Sequence, residues 1–110
     1  MIIWITGISG VGNTSLAKFC LNFFKKKRIS FVHIDGDDFR KMFENDLGYS
    51  LKDRDKNARR LIKFAEFLNF NKINLIISAN LTSLKYRLII RKKFKKKLFQ
   101  IHMEADTKNI

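Results

Sequence analysis

The chain has 110 residues, 45% of them hydrophobic and 11 of them phenylalanine, which is enough apolar side chain for one core but too little for two domains. No apolar run approaches the roughly 18 residues of a membrane span, and no basic residue precedes the apolar N-terminal stretch, as one would in a signal peptide. The composition therefore predicts one domain over residues 1–110 in a soluble, cytoplasmic protein without a membrane partner.

The net charge of +13 and the pI of about 10.2 favour polyanionic partners. The basic runs are Lys25-Lys26-Lys27-Arg28 and the segment from Arg91 to Lys97. Both lie near predicted helix C-termini, where cations complement the helix dipole. They lack the interleaved aromatic residues of surfaces that bind single strands. The sequence therefore disfavours specific nucleic-acid binding.

The first predicted strand is the apolar run Ile2–Thr6, which a glycine-rich turn follows. Apolar residues then recur at helical spacing from Thr14 to about Lys27. We expect this helix to pack on more than one side, with an apolar surface made of Leu16, Ala17, Phe19, Cys20, Leu21, Phe23 and Phe24. Cys20 is interpreted as a small buried apolar residue, and neither a disulfide nor a zinc site is expected.

The next predicted elements are a strand at Ile29–Ile34, a turn at Asp35–Asp37 and a short helix from Asp38 to about Leu47, which Gly48 ends. Ser50 and Asp53 have the spacing of a capping box. The helix that they open reaches about Lys72 and carries an apolar stripe formed by Ala58, Leu61, Ile62, Ala65 and Leu68.

The remaining predicted elements are a strand at Ile73–Ala79, a basic helix from Ser83 to Lys97 and a strand at Leu98–Met103. Strands that alternate with helices imply a parallel sheet with right-handed crossovers. The sequence therefore predicts an α/β fold, a doubly wound parallel sheet of about four strands with flanking helices.

A phosphate-binding loop is predicted directly after the first strand, with the spacing G-x-x-x-x-G-x-T from Gly7 to Thr14. Gly7, Gly10 and Gly12 allow a tight loop whose N–H groups converge on phosphate oxygens. The Thr14 hydroxyl is placed to bind Mg²⁺. Asn13 stands where the motif has lysine, so we expect weaker phosphate binding and turnover.

Further motifs are similar to those of adenylylsulfate kinases in order and spacing: Ile3–Gly12, Ile34–Asp37, Arg40, Leu47–Ser50 and Asp53–Arg60. The resemblance runs from Met1 to about Met103. It implies a P-loop NTPase-like fold, with this chain incomplete relative to the family. It also implies transfer of the γ-phosphoryl group of ATP, with Mg²⁺, to the 3′-hydroxyl of adenylylsulfate in sulfate assimilation. A homodimer is compatible with it.

The resemblance also implies roles for individual residues. ATP would be bound by Gly7, Ile8, Ser9, Gly10, Val11, Gly12, Asn13, Thr14 and Ser15. Adenylylsulfate would be bound by Asp37, Arg40, Tyr49, Arg54, Asn57, Asn80 and Leu81, with Tyr49 where the family usually stacks phenylalanine on adenine. Asp35 and Asp37 would be the catalytic carboxylates, and Thr14 and Asp35 would hold the metal. Arginine suits the anionic phosphosulfate because it can donate two parallel hydrogen bonds.

Several alternatives remain open at this point. Asp37 and Asp38 could simply cap a helix, Asp53 and Arg54 could be solvated first-turn residues, and Asn57 could be an exposed helical amide. The family's Ile-Ser-Pro-Tyr-Arg-like segment appears only as Leu81–Lys85, and the family continues beyond the fourth strand with a lid. A kinase of another small nucleotide and a catalytically impaired nucleotide-binding protein are therefore the competing hypotheses.

Overall fold

The computed structural model describes residues 1–7, 11–81 and 83–103, with the backbone alone for residues 11–14. Within these ranges, strands and helices alternate in the predicted way. They are β1 (Ile2–Gly7), α1 (Val11–Lys26), β2 (Val32–Asp35), α2 (Gly36–Met42), α3 (Leu51–Phe70), β3 (Leu75–Ser78), α4 (Leu84–Phe94) and β4 (Leu98–Met103), with one turn of 3-10 helix at Lys95–Lys97.

The four strands form one parallel sheet in the order β2-β3-β1-β4. Helix α1 packs on one face, where Ala17 joins Ile3, Ile5 and Ile76 in a buried cluster. Helices α2, α3 and α4 cover the other face, around Trp4 and a set of buried residues that includes Ile34, Phe39, Leu61, Ile77, Tyr86 and Ile90. The predicted doubly wound α/β fold is confirmed.

The topology places a switch point between β1 and β3. The connection from β1 passes β3 to reach β2, and the connection from β3 passes β1 to reach β4, so the two run in opposite directions. They also lie on opposite faces of the sheet, because α1 and α4 belong to different core clusters. Ligands of open α/β sheets bind at such a point, outside the carboxyl ends of the strands.

Helix α1 differs from the prediction in two ways. It begins at Val11, so the backbone of Gly12 lies in its first turn and not in the preceding loop. It also packs on one side only, because Phe19 and Phe23 remain 68% and 47% exposed. A helix that lies flat on a sheet buries one stripe and leaves its outer side in water. Cys20 is partly buried against the cluster that Ala17 forms with the sheet, and this burial raises the pKa of its thiol.

Helix α2 also differs from the prediction, since it starts at Gly36 and ends at Met42. Asp35 caps its N-terminus, so the segment interpreted as a turn is the start of the helix. Gly48 consequently lies in the connection to α3. The predicted apolar stripe of α3 is confirmed, because Leu61, Ile62 and Ala65 are buried and Ala58 and Leu68 pack against them. None of the helices in the described residues has the length and apolar character needed to cross a membrane.

Candidate active site

The carboxyl ends of β2, β3 and β1 meet in one continuous row. Asp35 at the end of β2 is in register with Ser78 of β3. The Cα of Gly36 approaches Ala79 so closely that an added Cβ would lie 3.0 Å from the Ala79 Cβ. The Gly7 N–H donates a hydrogen bond to Asn80 Oδ1 at 2.8 Å. The row therefore joins the predicted metal carboxylate to the start of the phosphate-binding loop.

Gly7 ends β1 in a conformation that only glycine adopts readily. Its φ is +132°, and an added Cβ would lie 2.1 Å from the carbonyl oxygen of Met103 on β4. A side chain there would require both strained backbone and displacement of a neighbouring strand. The first glycine of the motif is therefore explained by close packing against β4 as well as by loop geometry.

Asp35 is held by contacts on both carboxylate oxygens. Its Oδ1 accepts hydrogen bonds from the N–H groups of Asp37 at 2.9 Å and Asp38 at 3.2 Å. Its Oδ2 accepts a longer one, 3.4 Å, from the Ser78 hydroxyl, which lies 2.8 Å from Nε2 of His33. The helix cap is therefore Asp35. The alternative in which Asp37 and Asp38 cap the helix is wrong, and the exposed Asp37 lies in the first turn of α2.

The donor set around Asp35 fits a magnesium ion. A carboxylate oxygen has two lone pairs, and Oδ2 is engaged by one long hydrogen bond. Mg²⁺ takes hard oxygen ligands, typically one or two carboxylates together with waters and phosphate oxygens. In the described part of the chain, no group of three or more His, Cys, Asp or Glu residues could hold a metal.

A second set of contacts joins α2 to the start of α3. The Arg40 guanidinium donates to the Gly48 carbonyl at 3.0 Å, and its central carbon lies 4.6 Å from the centroid of the Tyr49 ring. The Gly48 N–H in turn donates to Asp53 Oδ2 at 2.9 Å. The Ser50 hydroxyl accepts from the Asp53 N–H at 3.2 Å. Only this half of the predicted capping box forms, because the Asp53 carboxylate binds Gly48 instead.

The other predicted substrate residues differ in exposure. Arg54 is exposed on the first turn of α3, and the Asn80 side chain is exposed beside Gly7. Oδ1 of Asn57 is buried, with no hydrogen-bond partner among the described residues. The reading of Asn57 as an exposed amide is therefore wrong, and a buried acceptor without a donor costs about 1–3 kcal/mol. The Leu81 side chain is 5% exposed in the core, which leaves its backbone to contact a ligand.

One anchor of the loop between α2 and α3 was not predicted. Arg60 donates two hydrogen bonds of 3.0 Å to the Asp46 carboxylate and stacks 4.2 Å from the centroid of Phe43. The hydrogen bond from Arg60 lowers the pKa of Asp46, and the same pairing raises the pKa of Arg60. Arg60 ends the Asp53–Arg60 motif, but Asp46 belongs to no motif and lies 14 positions away, so the sequence offered no signal for the pair.

Part of the predicted phosphate site lies outside the described residues. This applies to Ile8, Ser9 and Gly10, and to the side chains of Val11, Asn13 and Thr14. Ser15 is exposed on α1. The predicted contacts of Asn13 with phosphate and of Thr14 with Mg²⁺ therefore rest on the sequence motif.

Comparison with known proteins identifies the family of the chain. The family model for adenylylsulphate kinase matches residues 1–110. A probable adenylyl-sulfate kinase of Pseudomonas aeruginosa is 36% identical over 77 residues, which cover 70% of this chain and 36% of that protein. An adenylyl-sulfate kinase of Buchnera aphidicola is 29% identical over 99 residues, 90% of this chain and 48% of that protein.

A solved structure extends the likeness to the fold. The Mycobacterium tuberculosis APS kinase CysC in complex with AMPPNP and APS has a TM-score of 0.82 at 29% identity, over 98% of this chain and 64% of that one. This chain thus spans 36% and 48% of the lengths of the two curated relatives. The chain belongs to the adenylylsulphate kinase family.

Proposed function

We propose that this member of the adenylylsulfate kinase family binds Mg·ATP and adenylylsulfate as one domain and transfers the γ-phosphoryl group to the 3′-hydroxyl of adenylylsulfate. The observation that carries the proposal is the row from Asp35 through Asn80 to Gly7 at the switch point, together with the stacking of Tyr49 on Arg40 of the helix that Asp35 caps. The CysC complex with AMPPNP and APS supports this choice of ligands.

The adenylylsulfate side is assigned to α2 and α3. Arg40 is already oriented by the Gly48 carbonyl, and a guanidinium has five N–H donors, so others remain for an anionic phosphosulfate. Tyr49 is 67% exposed and offers a ring on which adenine can stack. Arg54 adds an exposed cation, and the unpartnered Asn57 oxygen would accept a hydrogen bond from the nucleotide.

In the proposed reaction, the 3′-oxygen forms a bond to the γ-phosphorus as the bond from that phosphorus to the β–γ bridging oxygen breaks, and ADP leaves. Asp37 accepts a hydrogen bond from the 3′-hydroxyl and takes its proton. Asp35 Oδ2 and the Thr14 hydroxyl would hold a magnesium ion, which would supply positive charge to offset that of the phosphates. Such a reaction depends on alignment and charge neutralisation and needs no covalent enzyme intermediate.

Asn13 favours a second candidate, a nucleotide-binding protein with little or no turnover. An amide at this position donates a neutral hydrogen bond, whereas the motif's lysine neutralises charge on the phosphates. Binding would then persist through the backbone donors of the loop while the transfer step slows. A kinase of another small nucleotide is the third candidate, because Leu81–Lys85 departs from the family segment.

The proposal is tested by incubating the chain with Mg·ATP and adenylylsulfate and separating the nucleotides by chromatography. We expect slow formation of ADP and 3′-phosphoadenylylsulfate in equal amounts, lost in the Asp37→Asn variant. Adenylylsulfate binding without product would support the second candidate. Product only with another acceptor nucleotide would support the third.

A further inference from the structure

The outward surface of α1 combines aromatic and basic side chains, and we call it the α1 face. It consists of Phe19 and Phe23, one helical turn apart and 68% and 47% exposed, together with the exposed residues Lys18, Lys25, Lys26 and Lys27. The Lys27 ammonium lies 5.1 Å from the centroid of the Phe23 ring. Both phenylalanines belong to the apolar surface that the sequence predicts to be packed, and their exposure supplies aromatic residues beside the basic run.

All charged side chains in residues 1–34 are basic, because the first acidic residue of the chain is Asp35. Another exposed aromatic pair, Phe67 and Phe70 on α3, is different because Glu66 stands next to Phe67 and is paired with Lys93. The α1 face thus combines accessible rings with lysines that form no ion pair with any residue the structure describes, whereas the α3 pair has an ion-paired carboxylate beside it.

A groove beside the C-terminal end of α1 continues this surface. Its volume is ≈ 620 Å³, and it is lined by Leu21, Asn22, Lys25, Arg28, Ile29, Ser30 and Phe31. Phe31 stacks on Phe24 at 4.4 Å between ring centroids, and Phe23 contacts Phe24 edge-on at 5.3 Å. A row of rings therefore connects the exposed α1 face to a groove that has two cations and two uncharged polar side chains.

We propose that the α1 face and this groove bind single-stranded nucleic acid without sequence preference. Exposed rings stack on unpaired bases, whatever their identity, and lysines beside them contact the phosphates. Phe19 and Phe23 would stack bases, while Lys25 and Arg28 in the groove bind the backbone. Duplexes suit the surface less well, because their base faces are already stacked. This activity goes beyond the proposed kinase function and is independent of it.

The groove lies far along α1 from the carboxyl ends of the strands, where the nucleotides of the proposed reaction would bind. Helix α1 has 16 residues, which gives it a length of about 24 Å at 1.5 Å per residue. Its N-terminal end adjoins the phosphate-binding loop, and the groove lies at its other end. Substitutions on the α1 face therefore leave the catalytic and substrate-binding residues untouched.

The test is fluorescence anisotropy of a labelled 12-nucleotide oligothymidylate with the full chain. We expect saturable binding whose log K falls with log salt at a slope of about −2 to −3.5, as three to five phosphate contacts would give. Phe19→Ala should raise Kd about five- to hundredfold, and Phe19→Tyr should retain affinity because the ring remains. The matched control is Phe67→Ala with Phe70→Ala, which should bind like the unmodified chain.

Thermal melting of each variant establishes that it is folded, and Phe23→Ala, which removes the other exposed ring, keeps the test valid if Phe19→Ala is unstable. Loss of affinity in the α1 alanine variant, with the control unaffected, supports the proposal. Equal affinity of that variant and the control would overturn it, since attraction by net charge would then account for the binding. Equal affinity for a 12-base-pair duplex, or binding to phosphatidylserine vesicles but not to the oligonucleotide, would also overturn it.

Discussion

The Gly7 N–H and the Asn80 side-chain oxygen are 2.8 Å apart, and this hydrogen bond joins the ends of β1 and β3 at the switch point of the sheet. It fixes the chain where the phosphate-binding loop begins. The Asn80 side chain, two residues past the end of β3, thereby orients the backbone that leads from β1 into the loop. The relationship makes Asn80 a positioning residue for ATP in the proposed function.

Asn80→Ala should weaken Mg·ATP binding about two- to tenfold, the equivalent of one net hydrogen bond, because Gly7 loses its acceptor. Calorimetric titration measures this. The matched control is Asn71→Ala, which removes a 2.8 Å hydrogen bond from Asn71 Nδ2 to the Phe67 carbonyl at the far end of α3. Unchanged ATP affinity in Asn80→Ala, or equal losses in both variants, would contradict the positioning role.

Arg54→Ala should abolish thermal stabilisation by adenylylsulfate while leaving the Tm without ligand nearly unchanged. The side chain is exposed on the first turn of α3, and such substitutions usually change stability by less than about 0.5 kcal/mol. Arg59→Ala is the control, since it removes an exposed arginine from the same helix. A variant that loses stability but keeps its response to adenylylsulfate would show that Arg54 is structural.

Asn13→Lys should tighten Mg·ATP binding about ten- to hundredfold, because a charged hydrogen bond to phosphate contributes roughly 1.5–3 kcal/mol. We expect turnover to stay well below that of the family, since transfer also requires water to be excluded and the acceptor to be aligned. Titration and a coupled ADP-release assay on both forms separate the two effects. Unchanged affinity would mean that the loop does not bind phosphate, and rapid ADP release would show that lysine was the missing element.

The Asp46–Arg60 pair should make the loop between α2 and α3 sensitive to acid. The pairing lowers the pKa of Asp46, so its stabilising effect is present above the ordinary pKa and is lost as the pH falls through the lowered one. The Tm difference between the unmodified chain and Asp46→Asn should therefore shrink between about pH 5 and pH 2. A difference that stays constant down to pH 2 would show that the ion pair contributes nothing.

The sequence predicted the element order, the parallel sheet and the bounds of β4, because apolar runs and helical spacing are local signals. The predicted bounds of α2 are wrong, since the start of that helix depends on hydrogen bonds that the Asp35 side chain accepts. The prediction that Phe19 and Phe23 are packed is also wrong, because hydrophobicity alone does not say which side of α1 the sheet covers. The Asp46–Arg60 pair and the Gly7–Asn80 bond join distant residues, and no spacing rule identifies such contacts.

Within the candidate site, the joint spacing of Asp35, Arg40 and Tyr49 predicts these three as site residues. The structure adds how they are held: Asp35 by the backbone of α2, and Arg40 by Gly48 and the Tyr49 ring. It also shows that the Asn57 side-chain oxygen is buried and has no hydrogen-bond partner in the part of the chain that it describes, which a sequence cannot distinguish from an exposed amide.

The central claim is that the adenylylsulfate side of the site is intact while the ATP side has lost its cation. The most direct test is a thermal shift of the unmodified chain with each nucleotide at equal concentration, because stabilisation follows the ratio of ligand concentration to Kd. We predict a larger rise in Tm with adenylylsulfate than with Mg·ATP. A larger rise with Mg·ATP, or no rise with adenylylsulfate, would contradict the assignment of Arg40, Tyr49, Arg54 and Asn57.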